Sequence, residues 1–330
     1  MGVDDPAPEL MWSLASEARG AVSLAYQLQL QRVSSVAIAP GSAPGWNATA
    51  ARWDSGRVPH CHGVPQGVLC VPESHTIYAG PPLDAATAYQ WRVRWWSNAT
   101  TSTDPSPWSE PATFVTGLYE PSDWRDAAFL TCAKSAEPPP PPPPPPAPGS
   151  PEWPIVGPPQ CRHLRADFQL TQTPVRATAF VAAMGYVELY VNGKKAGGNA
   201  VLEPGWTQYD RRLLYVTYDV TDLVACPRTG HDSINPTQLC VQNQSAGLLL
   251  GNGWPGHLGH TPTAKLLIKF EFEEEGVSYV TSNAASWQGS WRGPILLDDI
   301  VSAAAPFAVF FRRSSKQRLH SMEGRRTTRG

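Results

Sequence analysis

Two runs in which aromatics and amides sit next to glycine are the residues best suited to chemistry. They are Gly205-Trp206-Thr207-Gln208-Tyr209 and Gly251-Asn252-Gly253-Trp254. Glycine lets the backbone come close to a ligand. An indole stacks on the apolar face of a pyranose, while an amide or a phenol hydrogen-bonds its hydroxyls. Trp206, Tyr209, Asn252 and Trp254 are therefore candidate carbohydrate contacts. The competing reading makes Trp206 and Trp254 packing residues that seal a core, since tryptophan is usually well buried.

Catalysis has no comparable footing. An inverting glycosidase needs two carboxyl groups ~6.5–9.5 Å apart across a cleft. Glu273-Glu274-Glu275 reads instead as a solvated turn, and Asp298-Asp299 as a strand-end pair. His60, Cys61, His62, Cys70 and His75 match no structural zinc spacing, and neither does the pair His257 and His260. No phosphate loop, nucleophile elbow or dinucleotide fingerprint occurs. A formal net charge of −2 supplies no basic field for phosphates, so nucleic acid is not an expected partner. No apolar stretch is long enough to span a membrane.

The six cysteines fall in neighbouring pairs, Cys61 with Cys70, Cys132 with Cys161 and Cys226 with Cys240, each flanking a polar or proline-rich insertion. Three local disulfides would close these loops and limit their unfolded-state entropy. Sequons begin at Asn47, Asn98 and Asn243. Together these features point to a secretory, oxidising compartment, although the polar, acidic start Met1–Glu9 does not read as a signal peptide.

The elements that must position these residues are strands. Proline at 35 of 330 residues opposes long helices. Residues 25–33 and 88–96 alternate apolar and polar, which places Tyr89, Trp91, Val93 and Trp95 on one face. With Thr113–Thr116 they outline a fibronectin type III or immunoglobulin-like sandwich over residues 1–118. Trp91, Trp95 and Trp108 are expected to be core or edge packing of this sandwich. A second, jelly-roll sandwich of the galactose-binding kind is expected over 119–300. Its strands lie near 128–131, 164–170, 177–183, 187–191, 214–220, 239–242, 247–250, 264–272 and 278–281. Asn192-Gly193 marks a tight hairpin in it. The proline run near 138–148 is expected to form a surface loop of this domain. Residues 301–330 change character, apolar without clear alternation over Val301–Phe311 and basic and polar over Arg312–Gly330, and read as a divergent, disordered tail.

The segments Tyr186–Gly197, Leu202–Tyr209, Leu214–Leu223 and Leu248–Trp254 resemble, in order and at compatible spacings, the N-terminal sandwich of bacterial-type α-L-rhamnosidases. Trp53–Val58, Tyr78–Leu83, Thr87–Trp96, Ser106–Ser109 and Phe114–Leu118 look like the fibronectin-like module preceding it. Trp287 and Gly293–Ile300 look like the exit from the sandwich. The resemblance covers roughly residues 5–300. It implies an accessory region that scaffolds a catalytic helical toroid and contacts rhamnose-containing glycans. Residues 301–330 resemble nothing in that toroid, so no catalytic residue is carried over and the chain alone is expected to be inactive. An incomplete form of an active α-L-rhamnosidase and a ligand-free structural module are the alternatives. Some family members bind rhamnose through calcium held by an acidic–amide pair and a second asparagine. The resemblance puts that pair at Gly198-Asn199 and the other ligand at Asn252, with Gly198 standing where a carboxylate is wanted.

Overall fold

The computed structural model describes residues 2–33, 46–47, 51–60, 74–98, 104–131, 162–224, 242–253, 260–273 and 276–290, with the short strands Ile295–Leu297 and Phe310–Phe311. All six cysteines, the proline run, Trp254, Asp298 and Asp299 lie outside the described residues.

The expected all-β class is what the chain adopts. In the first unit, strands Ser23–Arg32 and Ala88–Ser97 form the centre of a sheet that also holds Ala51–Asp54, Val58–Pro59, Ala112–Thr116 and Gly2–Val3. A two-stranded layer, Glu9–Met11 with His75–Ile77, lies on it. Leu10 packs with Tyr26 and Leu28, and Tyr78 with Leu30 and Tyr89. Trp91 and Val93 face this core, as the alternation requires.

The opposite face of the Ala88–Ser97 strand carries a stack of cations and indoles. The Arg92 guanidinium lies 4.1 Å from the ring centre of Trp46 and 4.4 Å from that of Trp108. Arg94 lies 4.5 Å from Trp108, and Trp96 is covered by Arg94 and Arg57. Trp96 rather than Trp95 is thus the buried member of that pair. Gln27 and Gln29 accept from Arg94 and Arg92, and each donates to Asp54, so neutral amides connect the charges. Trp108 is fixed by its neighbours. Ser106 N–H and Ser109 N–H donate to the carbonyls of Trp95 and Val93, and the two serine hydroxyls accept from the amides of those same residues.

The second unit is a sandwich of two antiparallel sheets. One has the order Tyr215–Asp219, Arg176–Met184, Thr263–Glu271, Val277–Thr281; the other has Lys194–Lys195, Tyr186–Val191, Gln242–Gly251, His163–Leu170, Gln288–Ser290. Between them lie Leu164, Val181, Leu189, Leu248, Leu266, Ile268, Phe270 and the fully buried Trp287, whose indole N–H donates to the Thr281 carbonyl. The Asn192-Gly193 turn is present, with both residues at positive φ. Asn192 does more than turn the chain: its amide donates to the Leu223 carbonyl and accepts from the Ser245 N–H. Of the expected strand near 128–131, only an isolated bridge between Leu130 and Ala264 forms.

The units meet on the outer face of the four-stranded sheet. Leu118, Phe180 and Leu267 form a buried cluster there, with Ala86, Trp124 and Tyr215 against it. The Lys269 ammonium donates to the Ala86 carbonyl at 2.7 Å and pairs with Glu271.

Candidate functional site

The candidate site is at the Tyr186 end of the five-stranded sheet. Tyr186 pairs with Gly251, so the chain leaving this strand, Asn252-Gly253, emerges there. Gly185 turns the chain into the strand at φ 105, where a side chain would meet the Gly251 carbonyl at 2.5 Å. The backbones of 185 and 251–252 can therefore approach only because residue 185 is glycine. Gly253 is seated against the Tyr186 ring. Tyr209 is drawn to the same end: its pKa is raised by burial and further by the nearby Tyr186 phenol.

The loop that delivers Tyr209 is pinned from below. Val187 N–H donates to the Glu203 carbonyl, and the Tyr218 hydroxyl donates to the Glu203 carboxylate. Burial, then this carboxylate, pushes the Tyr218 phenol well above its ordinary pKa, so it remains a donor. Pro204 and Thr207 are buried, and Arg212 donates to the Thr207 hydroxyl. Trp206, held between these two anchors, is 63% exposed. It does not seal the core; Trp287 does so.

Asn199 lies exposed in the turn Gly197–Ala200 that follows the hairpin. A side chain at Gly197 would meet the Tyr218 ring at 2.5 Å, so this turn rests on the tyrosine that also holds Glu203. Asn199 thus belongs to the same loop system as Trp206 but is placed by different contacts. Asn252 is half-buried beside Gly253. Sequence reasoning missed Tyr186 and Tyr218. A tyrosine in a strand reads as ordinary β-propensity, and only the glycines packed against these rings, Gly253 and Gly197, hint at their role.

Calcium fits these residues poorly. It takes six to eight oxygens and favours carboxylates. Asn199 and Asn252 offer two amide oxygens, and Gly198 offers no side chain. Glu203 is engaged by Tyr218, and Glu188 by Lys195 and Tyr190. Among the described residues, no group of three or more His, Cys, Asp or Glu is arranged to hold a metal.

Two stretches of the chain match known domain models. Residues 1–120 match the model of the Rha78A-like N-terminal immunoglobulin domain, and residues 172–304 match that of the α-L-rhamnosidase N-terminal domain. Both matched stretches are thus similar to N-terminal, non-catalytic domains of α-L-rhamnosidases. An α-L-rhamnosidase of Formosa agariphila is 29% identical over 238 residues, 68% of this chain and 23% of that protein. The solved α-L-rhamnosidase of Dictyoglumus thermophilum superposes with a TM-score of 0.63 at 24% identity, covering 90% of this chain and 29% of that one. The Streptomyces avermitilis α-L-rhamnosidase, solved with L-rhamnose, gives 0.62 at 20% identity over 91% of this chain and 40% of that one. The chain spans about a quarter of the length of the curated relatives it matches. Within the rhamnosidase N-terminal domain, Tyr186, Asn199, Trp206, Tyr209 and Asn252 all fall inside the matched residues.

Proposed function

We propose that this chain is a non-catalytic accessory region of an α-L-rhamnosidase-like glycoside hydrolase, dividing near residue 118 into an immunoglobulin-like and a jelly-roll domain. Its roles are to support the catalytic part of such an enzyme and to bind rhamnose-containing glycans through Trp206, Tyr209, Asn252 and Asn199. Trp254 is an additional candidate from sequence. The observation that carries the binding role is Trp206, an indole 63% exposed on a loop anchored at Glu203 and Thr207. An exposed aromatic on an anchored loop suits a saccharide, because its face is open to stack on the apolar face of a pyranose. The kinship with a rhamnosidase solved with L-rhamnose supports the choice of sugar.

The experiment is a titration of the whole chain with L-rhamnose by NMR or calorimetry. Saturable binding that Trp206→Ala weakens by at least fivefold supports the reading; absence of binding at tens of millimolar sugar refutes it. An aryl α-L-rhamnoside assay tests the enzymatic alternative, and turnover by this chain would overturn the accessory reading.

A further inference from the structure

The two-stranded layer of the first sandwich leaves part of the sheet beneath it uncovered. Glu9–Met11 and His75–Ile77 are joined through the backbone groups of alternate residues: Tyr78 N–H donates to the Pro8 carbonyl, and Trp12 N–H to the Ser74 carbonyl. Antiparallel pairing therefore turns the N–H and C=O of Glu9 and Met11 to the opposite edge, where they meet no partner among the described residues. Along that edge runs a groove of about 260 Å³. Its walls are Val3, Pro8, Leu10, Met11, Trp91 and Phe114, and none of His75–Ile77 lines it. It thus opens on the unpaired side of Glu9–Met11, with two half-buried rings of the larger sheet in its lining. Met11 is 69% exposed, so this edge faces solvent.

Free backbone groups beside an apolar groove call for an extended chain. A strand laid against Glu9–Met11 satisfies their amides and carbonyls and presents every second side chain to the groove. The rim is acidic. Asp5 makes no ion pair among the described residues, and Glu9 is matched only by His75, at 3.7 Å. We propose that this edge binds an extended segment of another protein by strand addition, with apolar residues at alternate positions over Trp91 and Phe114 and lysine or arginine beside Asp5 and Glu9. A second copy of the chain is a poorer occupant. Pairing two such edges brings two acidic rims together and leaves both grooves unfilled, because each Leu10 is held in its own core with Tyr26 and Leu28.

The test is an NMR titration of the whole, isotopically labelled chain with the end-blocked peptide Lys-Val-Thr-Val-Lys and with Glu-Val-Thr-Val-Glu. The lysine peptide is also made in two further forms, N-methylated at the threonine or at the valine before it. Shifts are expected at the amides of Glu9, Leu10 and Met11 and at the Trp91 indole, with the lysine peptide bound about fivefold more tightly than the glutamate one. Only alternate amides of an added strand face its neighbour, so one methylated form is expected to lose binding and the other to keep it. Glu9→Lys, at an exposed position, is expected to reverse the preference between the two peptides, with circular dichroism melts checking that it folds. No binding at millimolar peptide, shifts confined to other residues, or equal affinities for the two methylated forms would overturn the proposal. A dimer seen by sedimentation and dissociated by Glu9→Lys would also overturn it, by giving the edge to a second copy.

Discussion

The backbone N–H of Leu118 donates to the phenol oxygen of Tyr215 across 2.9 Å, joining the last residues of the first sandwich to an edge strand of the second. Tyr215 also stacks edge-on against Trp124 and packs beside Phe180, so the bond lies within an apolar setting. Tyr215→Phe keeps the ring and removes the acceptor, leaving the Leu118 amide unsatisfied. The expected cost is about 1–3 kcal/mol, read by chemical denaturation. A stability equal to wild type would mean that water satisfies the amide.

Lys269 makes the same joint electrostatic. Burial lowers its pKa, and the Glu271 carboxylate opposes that shift. Lys269→Met removes the donor to the Ala86 carbonyl and strips Glu271 of its cation. It is expected to destabilise the chain by about 3 kcal/mol and to broaden the distance distribution seen by small-angle X-ray scattering. An unchanged scattering profile would show that the apolar cluster alone fixes the two units.

The cation–indole stack predicts a localised loss of stability. Trp108→Ala deletes the ring that the Arg92 and Arg94 guanidiniums both contact. The expected loss is about 2 kcal/mol, and Trp108→Phe should recover part of it. A loss the same in 1 M salt as in dilute buffer would assign the effect to packing rather than to charge.

Acid should weaken the second sandwich through His163. Burial, and then Arg162, hold its pKa below the ordinary 6.5. The folded state therefore binds its proton less readily than the unfolded chain does. This contribution to stability is fully present above pH 6.5 and is lost as pH falls through 6.5 toward the depressed folded value. His163→Gln should flatten that part of the melting-temperature profile; an unaltered acid limb would place the sensitivity elsewhere.

Chelation should leave saccharide binding unchanged. The oxygens of Asn199 and Asn252 lack a carboxylate partner at Gly198, so affinity for L-rhamnose in excess EDTA is expected to equal that in millimolar calcium. An affinity gained only with calcium would show that other oxygens complete the set.

Much of this was legible because alternation survives where one face is buried. Val187, Leu189 and Val191 point inward in the order the sequence suggests. Residues 177–183 show no such alternation, and the structure explains why. Ala177, Ala179 and Val181 face the core, while Phe180 on the opposite face is covered by the first sandwich. A strand buried on both sides loses its period, so the joint could not be read from the strand alone. The candidate site was half legible. Trp206, Tyr209 and Asn252 stand next to glycines that mark close backbone approach, whereas Tyr218 reaches Glu203 from fifteen residues away, a pairing no local pattern announces. The Trp96 position was missed because its cover, Arg57 and Arg94, comes from two separate strands or turns.

Ser106 and Ser109 have a consequence beyond holding Trp108. Past Trp91, the Ala112–Thr116 strand no longer accompanies Ala88–Ser97, and the amides and carbonyls of Val93 and Trp95 would face outward as a template for a foreign strand. The two serines occupy those groups with their own backbone and hydroxyls. This stretch of a tryptophan-rich strand is thereby closed to lateral growth, a safeguard against fibre-like self-association built from two serines.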